Sequence, residues 1–171
     1  MTFPDVRWGK PDGLFRRLID KPMLLFMNSR IGKWIHRHLN WLDKILLRVS
    51  KGRINVAGPV GLAFLQLTTI GCKSGQPRTH PLIYIVDGAE GIVLGSNYGQ
   101  THHPAWTANL LANPNATVEV GAERFEVRAT LIEGSRRDEL FQRMNEDYAN
   151  YEKYKATAAG REFRMFALRR V

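Results

Sequence analysis

Cysteine is almost absent from this 171-residue chain, with Cys72 its single thiol. One thiol cannot close an intramolecular disulfide. With no CxxC pair and no Cys/His cluster at zinc-ligand spacing, a disulfide scaffold and a structural zinc site are both excluded. Long apolar runs are missing too: the longest, Met23–Met27, falls far short of the ~20 residues that span a bilayer. The stretch from Met1 to Asp20 lacks the continuous apolar core of a secretory signal. These absences predict a cytoplasmic protein in a reducing compartment. Neither a G-x-G-x-x-G fingerprint nor a Walker phosphate loop occurs, so nothing points to a dinucleotide fold or a nucleotide hydrolase. Serine–histidine–carboxylate chemistry has no visible constellation either.

Acidic residues are scarce where the basic ones gather. Residues 1–53 hold 12 Lys/Arg against 4 Asp/Glu, whereas residues 54–171 hold 13 against 12. Nearly all of the +9 net charge therefore belongs to the first third of the chain. Between Ile31 and Val49 the apolar residues Ile31, Trp34, Ile35, Leu39, Leu42, Ile45, Leu46 and Val49 recur at helical spacing. Arg30, Lys33, Arg37, Lys44 and Arg48 lie among them, which predicts a basic amphipathic helix that ends at Lys51-Gly52. Two readings of that helix stand side by side. Its apolar stripe packs on the rest of the fold with the charges solvated, or it lies on an anionic membrane surface with Trp34 and Trp41 at the interface. No nucleic-acid reader motif accompanies the charge, and no nucleic-acid partner is expected.

From about Gly61 the period changes. Leu62–Thr69, Thr79–Val86, Gly91–Ser96, Ala116–Val120, Phe125–Leu131 and Phe163–Leu168 read as six short strands, mostly joined by hairpin turns. Helices are predicted after Pro104, ending at Asn113-Pro114, and over about 136–148 with Ser135 as cap. Helices do not alternate with strands, so a parallel sheet is excluded. The predicted fold is mainly β with flanking helices, an antiparallel β-barrel. The chain divides into an N-terminal basic helical extension, 1–58, and a barrel domain, 59–171.

Three clusters carry candidate chemistry. In Thr68-Thr69-Ile70-Gly71-Cys72-Lys73-Ser74-Gly75-Gln76-Pro77-Arg78, two glycines and a proline hold a turn from which Lys73, Ser74 and Arg78 project donors. Such a turn forms an anion nest, or is simply a solvated basic turn. Tyr148, Tyr151 and Tyr154 share one stripe if their segment is helical, and serve either an aromatic core or a site. His102 and His103, with His80, invite a metal. No carboxylate or cysteine has ligand spacing with them, so no metal site is expected; His103 is expected to cap the Pro104 helix, and His102 is a candidate hydrogen-bond partner for a ligand phosphate.

The first of these clusters, the block His103-Pro104-Ala105-Trp106...Asn109-Leu110...Ala112-Asn113-Pro114 and the following Val118-Glu119-Val120 are similar to the deazaflavin-dependent nitroreductase family of actinobacteria. The resemblance covers roughly two thirds of the chain, from Gly61 on. It implies a split β-barrel related to flavin-binding oxidoreductases and, as cofactor, the 8-hydroxy-5-deazaflavin coenzyme F420, with FMN as the alternative. It further implies that Lys73, Ser74 and Arg78, with Gly75 and Gln76 of the same turn, hold the coenzyme's phosphate and glutamyl tail. Pro81, Leu82, Gly95, Ser96 and Asn97 would line the ring, with Trp106 and Asn109 beside it, and Tyr148, Tyr151 and Tyr154 would shape the acceptor site. The sequence departs from the family at Cys72, where arginine is common, at Asn97, where lysine is frequent, and at Ile83, where tyrosine occurs.

A deazaflavin carries its own hydride chemistry, so the protein needs no nucleophile and no metal. The expected activity is hydride transfer from reduced F420 to a lipophilic, electron-poor acceptor such as a quinone, a conjugated carbonyl or a nitro compound. Phenolic hydroxyls would polarise the acceptor oxygen. The alternatives are a non-catalytic flavin- or deazaflavin-binding protein, an FMN-dependent split-barrel reductase, and a surface module that merely keeps the barrel.

Overall fold

The computed structural model describes residues 2–6, 63–148 and 150–171. The first five residues and Phe64–Val171 form one compact unit. The expected basic helix over 31–49 lies outside the described residues. Six strands are present: β1 (Phe64–Ile70), β2 (Pro77–Asp87), β3 (Glu90–Leu94), β4 (Asn115–Val120), β5 (Glu123–Ile132) and β6 (Met165–Arg170). They close into an antiparallel barrel in the order β1-β2-β3-β6-β5-β4. The helices are α1 (Ala105–Ala112), α2 (Gly134–Asp147) and α3 (Asn150–Thr157).

Alternation explains the barrel's interior. Leu65 and Leu67 on β1, Val118 and Val120 on β4, and Phe125 and Val127 on β5 are buried, while their neighbours are open or half-open. A side-chain period of two puts every second residue inside. β3 and β6 break this pattern because they are covered on both faces. Ile92, Leu94, Met165 and Ala167 turn outward under Leu140, Phe141 and Met144 of α2 and Tyr151 of α3. Phe3 is buried against Tyr84 and Phe125, with ring centroids 5.7 and 5.5 Å away. Any side chain at Gly91 would occupy the space its ring fills.

Strand β2 changes partner midway, and that change positions the site. Pro77–Ile83 pairs with β1, and Tyr84–Asp87 pairs with β3. Among the described residues the first half therefore has a strand on one side only. Pro81 is exposed there, and Leu82 and Ile83 are half-exposed.

Two local expectations are corrected. Glu133, not Ser135, occupies the cap position of α2, without a side-chain hydrogen bond. Gly134 makes the entry turn at φ 63°. The tyrosine segment is not one helix either. Tyr148 ends α2 in a non-helical conformation (φ −144°, ψ 85°), and α3 starts afresh at Asn150.

Candidate functional site

The β1–β2 turn is closed by its own backbone. Gly71 N–H donates to Gln76 O at 2.9 Å and Gly75 N–H to Gly71 O at 2.8 Å. Gly75 takes φ 66°, which favours glycine. A Cβ at Gly71 would sit 2.5 Å from Ser74 Oγ. That oxygen accepts the Gln76 N–H at 3.3 Å, so its own proton remains to be donated. Lys73, Ser74, Gln76 and Arg78 are exposed. Among the described residues, neither Lys73 nor Arg78 has a carboxylate partner.

Asn109 ties this turn to α1. Its Oδ1 accepts the Cys72 N–H and its Nδ2 donates to Thr69 Oγ1, both at 3.0 Å. Asn109 and Thr69 are buried, so each of these bonds replaces a lost contact with water. Asn109 is thus spent on holding the turn. Trp106 is also buried, in the barrel core, with its ring centroid 5.8 Å from that of Phe166.

The other end of α1 meets the segment after β3. A Cβ on Gly95 would fall 2.8 Å from Thr107 Cγ2, so the chain passes here only as glycine. Ser96 and Asn97 follow, half-exposed, where the chain enters a tight turn over Asn97–Gly99. Arg161, from the loop before β6, clamps this segment. Its guanidinium donates to Gln100 O at 3.0 Å, Gly95 O at 3.1 Å and Ser96 O at 2.6 Å. One face of it lies 4.7 Å from the Phe163 ring centre. Burial and the nearby Arg164 lower its affinity for its proton relative to an ordinary arginine.

His103 does not cap α1. Pro104 holds the cap position, and His103 Nδ1 lies 3.3 Å from Arg161 Nη1. Burial, Arg164 and Arg161 together hold its pKa below that of a free histidine. His80 is shifted the same way by burial and by Arg78. His102 is exposed, and its carbonyl accepts from Asn97 Nδ2 at 3.0 Å. Among the described residues no three His, Cys, Asp or Glu side chains gather as metal ligands.

The three tyrosines do come together, although across a helix break. The Tyr148 and Tyr154 hydroxyls are 3.2 Å apart. The Tyr148 and Tyr151 rings meet edge to face at 5.1 Å. Tyr151 is only 4% exposed and belongs to the core under α2. Tyr148 and Tyr154 are half-buried. Burial pushes the Tyr151 and Tyr154 phenols well above the usual tyrosine range, so both keep their protons. They can donate hydrogen bonds and cannot act as bases at neutral pH.

The Thr157 hydroxyl of α3 lies 3.2 Å from Gly99 O and 3.1 Å from Tyr154 O, sharing its proton between the Gly95–Gln100 segment and its own helix. The turn, α1, that segment and α3 are therefore linked in series. Two residues in this chain of contacts carried no sequence signal. Arg161 reveals itself only through partners about sixty positions away. Tyr98, beside Asn97 and Gly99, looked like part of a turn.

The sequence model of the F420H(2)-dependent quinone reductase family matches residues 43–168. An F420H(2)-dependent quinone reductase of Mycobacterium tuberculosis is 36% identical to this chain, with 70% of this chain and 85% of the relative covered. A Mycobacterium bovis relative matches to the same extent. Among solved structures, an F420-H2 dependent reductase (FDR-A) superposes with a TM-score of 0.57 at 28% identity. The superposition covers 62% of this chain and 93% of that one.

Proposed function

The chain belongs to the F420H(2)-dependent quinone reductase family, and from that premise we propose how its own residues hold the coenzyme and meet the acceptor. The protein is an oxidoreductase whose cofactor is coenzyme F420. Bound in reduced form, the coenzyme supplies a hydride, which together with one proton turns a quinone into its hydroquinone.

The observation that carries the assignment is the β1–β2 turn. Among the described residues two cations have no carboxylate partner and the Lys73 and Ser74 peptide N–H groups have no acceptor; with the Ser74 hydroxyl they make a donor set suited to phosphate and carboxylate oxygens. Lys73, Ser74, Gly75, Gln76 and Arg78 hold the coenzyme's anionic tail in this reading. Pro81 and Leu82, on the half of β2 paired only with β1 among the described residues, and Gly95, Ser96 and Asn97 after β3 line the ring in this reading. Asn109 and Trp106 act from behind, the first by fixing the turn and the second by filling the core under α1.

At the acceptor, Tyr148 and Tyr154 share one hydrogen bond between two hydroxyls. One phenolic proton therefore remains to be directed at a quinone oxygen as negative charge develops there. Tyr151 supports both rings from the core. The three packed tyrosine rings offer an aromatic surface that favours a lipophilic acceptor.

The charge of residues 1–53 favours one finer reading: the enzyme works on the inner face of an anionic membrane, where lipophilic quinones are dissolved. In that reading residues 1–58 are the surface-seeking extension and residues 59–171 the coenzyme-binding domain. Sedimentation with anionic and with neutral vesicles tests it; binding to the anionic ones alone, abolished by salt, is the expected result. Equal sedimentation with both, or with neither, removes it.

The primary experiment is fluorescence titration with F420, with FMN in parallel, followed by anaerobic oxidation of the reduced coenzyme by quinones. Tight F420 binding, weak FMN binding and quinone-dependent oxidation are expected. FMN binding alone would replace the cofactor. F420 binding with no acceptor oxidising it would leave a binding protein.

A further inference from the structure

We infer that Tyr98 is a specificity-determining residue of the acceptor site, one whose exposed ring stacks on a planar acceptor. This rests on the reading of Asn97 and of the Tyr148–Tyr154 pair given above, and goes beyond it by naming a residue on which no role has been placed.

The first observation is conformational. Asn97 and Tyr98 are consecutive non-glycine residues in the left-handed region, at φ 48° and φ 53°. Asparagine tolerates that region, but a tyrosine there is uncommon and strained. The surroundings hold it in place. Gly99 N–H donates to Ser96 O and Gln100 N–H to Asn97 O, both at 3.0 Å. Arg161 fixes Ser96 O and Gln100 O, and Thr157 fixes Gly99 O. Gly99 itself, at φ 75°, lies so close to Tyr154 that no side chain fits.

The second observation is exposure. This fixation of the surrounding backbone leaves Tyr98 75% exposed. A core role would recover the strain through burial, and this ring does not. A plain turn would place glycine or a small polar residue at such a position. An aromatic ring held rigidly in water loses little entropy when a ligand covers it.

The third is location. Tyr98 directly follows Asn97 of the coenzyme wall. Its ring meets Tyr154 edge to face at 6.1 Å, and the Tyr154 hydroxyl is the one 3.2 Å from Tyr148. Tyr98 thus stands between the residues assigned to the coenzyme and the hydroxyls assigned to the acceptor oxygen. The electron-rich face of a phenol complements an electron-poor quinone ring, and a fused second ring gives it more surface to cover.

The test compares Tyr98→Gly, which removes the ring and relaxes the backbone, with Tyr98→Phe, which keeps the ring. Each is assayed with 2,3-dimethyl-1,4-naphthoquinone and with tetramethyl-1,4-benzoquinone, both fully substituted so that the exposed Cys72 thiol cannot add to them. Coenzyme affinity is measured by F420 fluorescence. For Tyr98→Gly the expected result is a KM about fivefold higher for the naphthoquinone and about twofold higher or less for the benzoquinone, given what one aromatic contact contributes. Its coenzyme Kd and melting temperature stay close to wild type, and Tyr98→Phe behaves like wild type with both quinones. Equal KM changes for both quinones, a loss of coenzyme affinity in place of a KM change, or failure of phenylalanine to restore KM would each overturn the inference. If the wild type reduces both quinones and Tyr98→Gly matches it, Tyr98 alone loses its role. If the wild type binds F420 and reduces neither, the acceptor site itself is misassigned and this inference falls with it.

Discussion

The two ends of β2 treat their cations in opposite ways. At the far end, Asp87 receives Arg136 at 3.0 Å and Arg143 at 2.7 Å, and Arg136 also reaches Glu90 at 2.7 Å. Those pairs dock α2 onto the β2–β3 hairpin, and every charge has an opposite. At the near end, Lys73 and Arg78 protrude from a turn held by the Gly71–Gln76 and Gly75–Gly71 backbone bonds, with no carboxylate opposite either among the described residues. Charges that serve the fold are matched within the fold. Charges left unmatched on such a turn are available to a ligand, and the proposed one is the anionic coenzyme.

That contrast can be broken at several points. The largest effect is expected at the near end: Lys73→Ala or Arg78→Ala should each weaken F420 binding about 30-fold, the worth of a charge-assisted contact. The melting temperature should stay unchanged. Wild-type affinity in both would return the turn to a solvated basic loop. Asn109→Ala comes next, because it strands the Cys72 N–H and the Thr69 hydroxyl. A stability loss of about 2 kcal/mol in denaturant melts is expected, together with weaker coenzyme binding. A loss of stability with affinity intact would separate α1 from the turn's function.

Smaller is the effect of Tyr148→Phe and Tyr154→Phe, each expected to lower kcat about tenfold at unchanged coenzyme Kd. Full turnover in both would leave the cluster as packing alone. Last is the far end. Hydrogen bonds from Arg143 and then Arg136 hold the Asp87 carboxyl below the usual carboxylate range. A folded pKa below the unfolded one stabilises above roughly pH 4, and the contribution fades as pH falls through the folded value. Asp87→Asn should therefore cost less than about 1 kcal/mol at pH 7. The difference from wild type should shrink as pH drops below 4, with coenzyme affinity unaffected at neutral pH. A mutant that loses coenzyme instead would abolish the distinction between the two ends.

What could be read from the sequence follows the range of the forces involved. The six strands are legible because alternation and hairpin turns are local, as in Leu65–Leu67–Thr69 and Asp87-Gly88. The predicted strand limits fall within a few residues of those found. The antiparallel barrel follows, since no helix separates strands as a crossover. The N-terminus of α2 was misread because serine is a common cap, whereas Gly134 makes the turn one residue earlier. The end of the helix near Tyr148 is legible, but the spacing of the three tyrosines carries no sign that a separate helix starts at Asn150 and still brings them together. Asn109 was picked out by resemblance; its two bonds, 37 and 40 positions distant, are invisible to any local pattern. Arg161 and Tyr98 had no signal at all, since each depends on a loop shaped by distant partners.

The half of β2 that, among the described residues, has a strand on one side only has a bearing on how the molecule behaves in a crowd. A bare strand edge invites a second copy to add its own strand, the first step toward aggregation. Pro77 and Pro81 stand in that half, four residues apart and so directed to the same edge. Neither has an N–H to give an incoming strand. An incoming strand would find two of its backbone hydrogen bonds missing along that edge, which weakens self-association there.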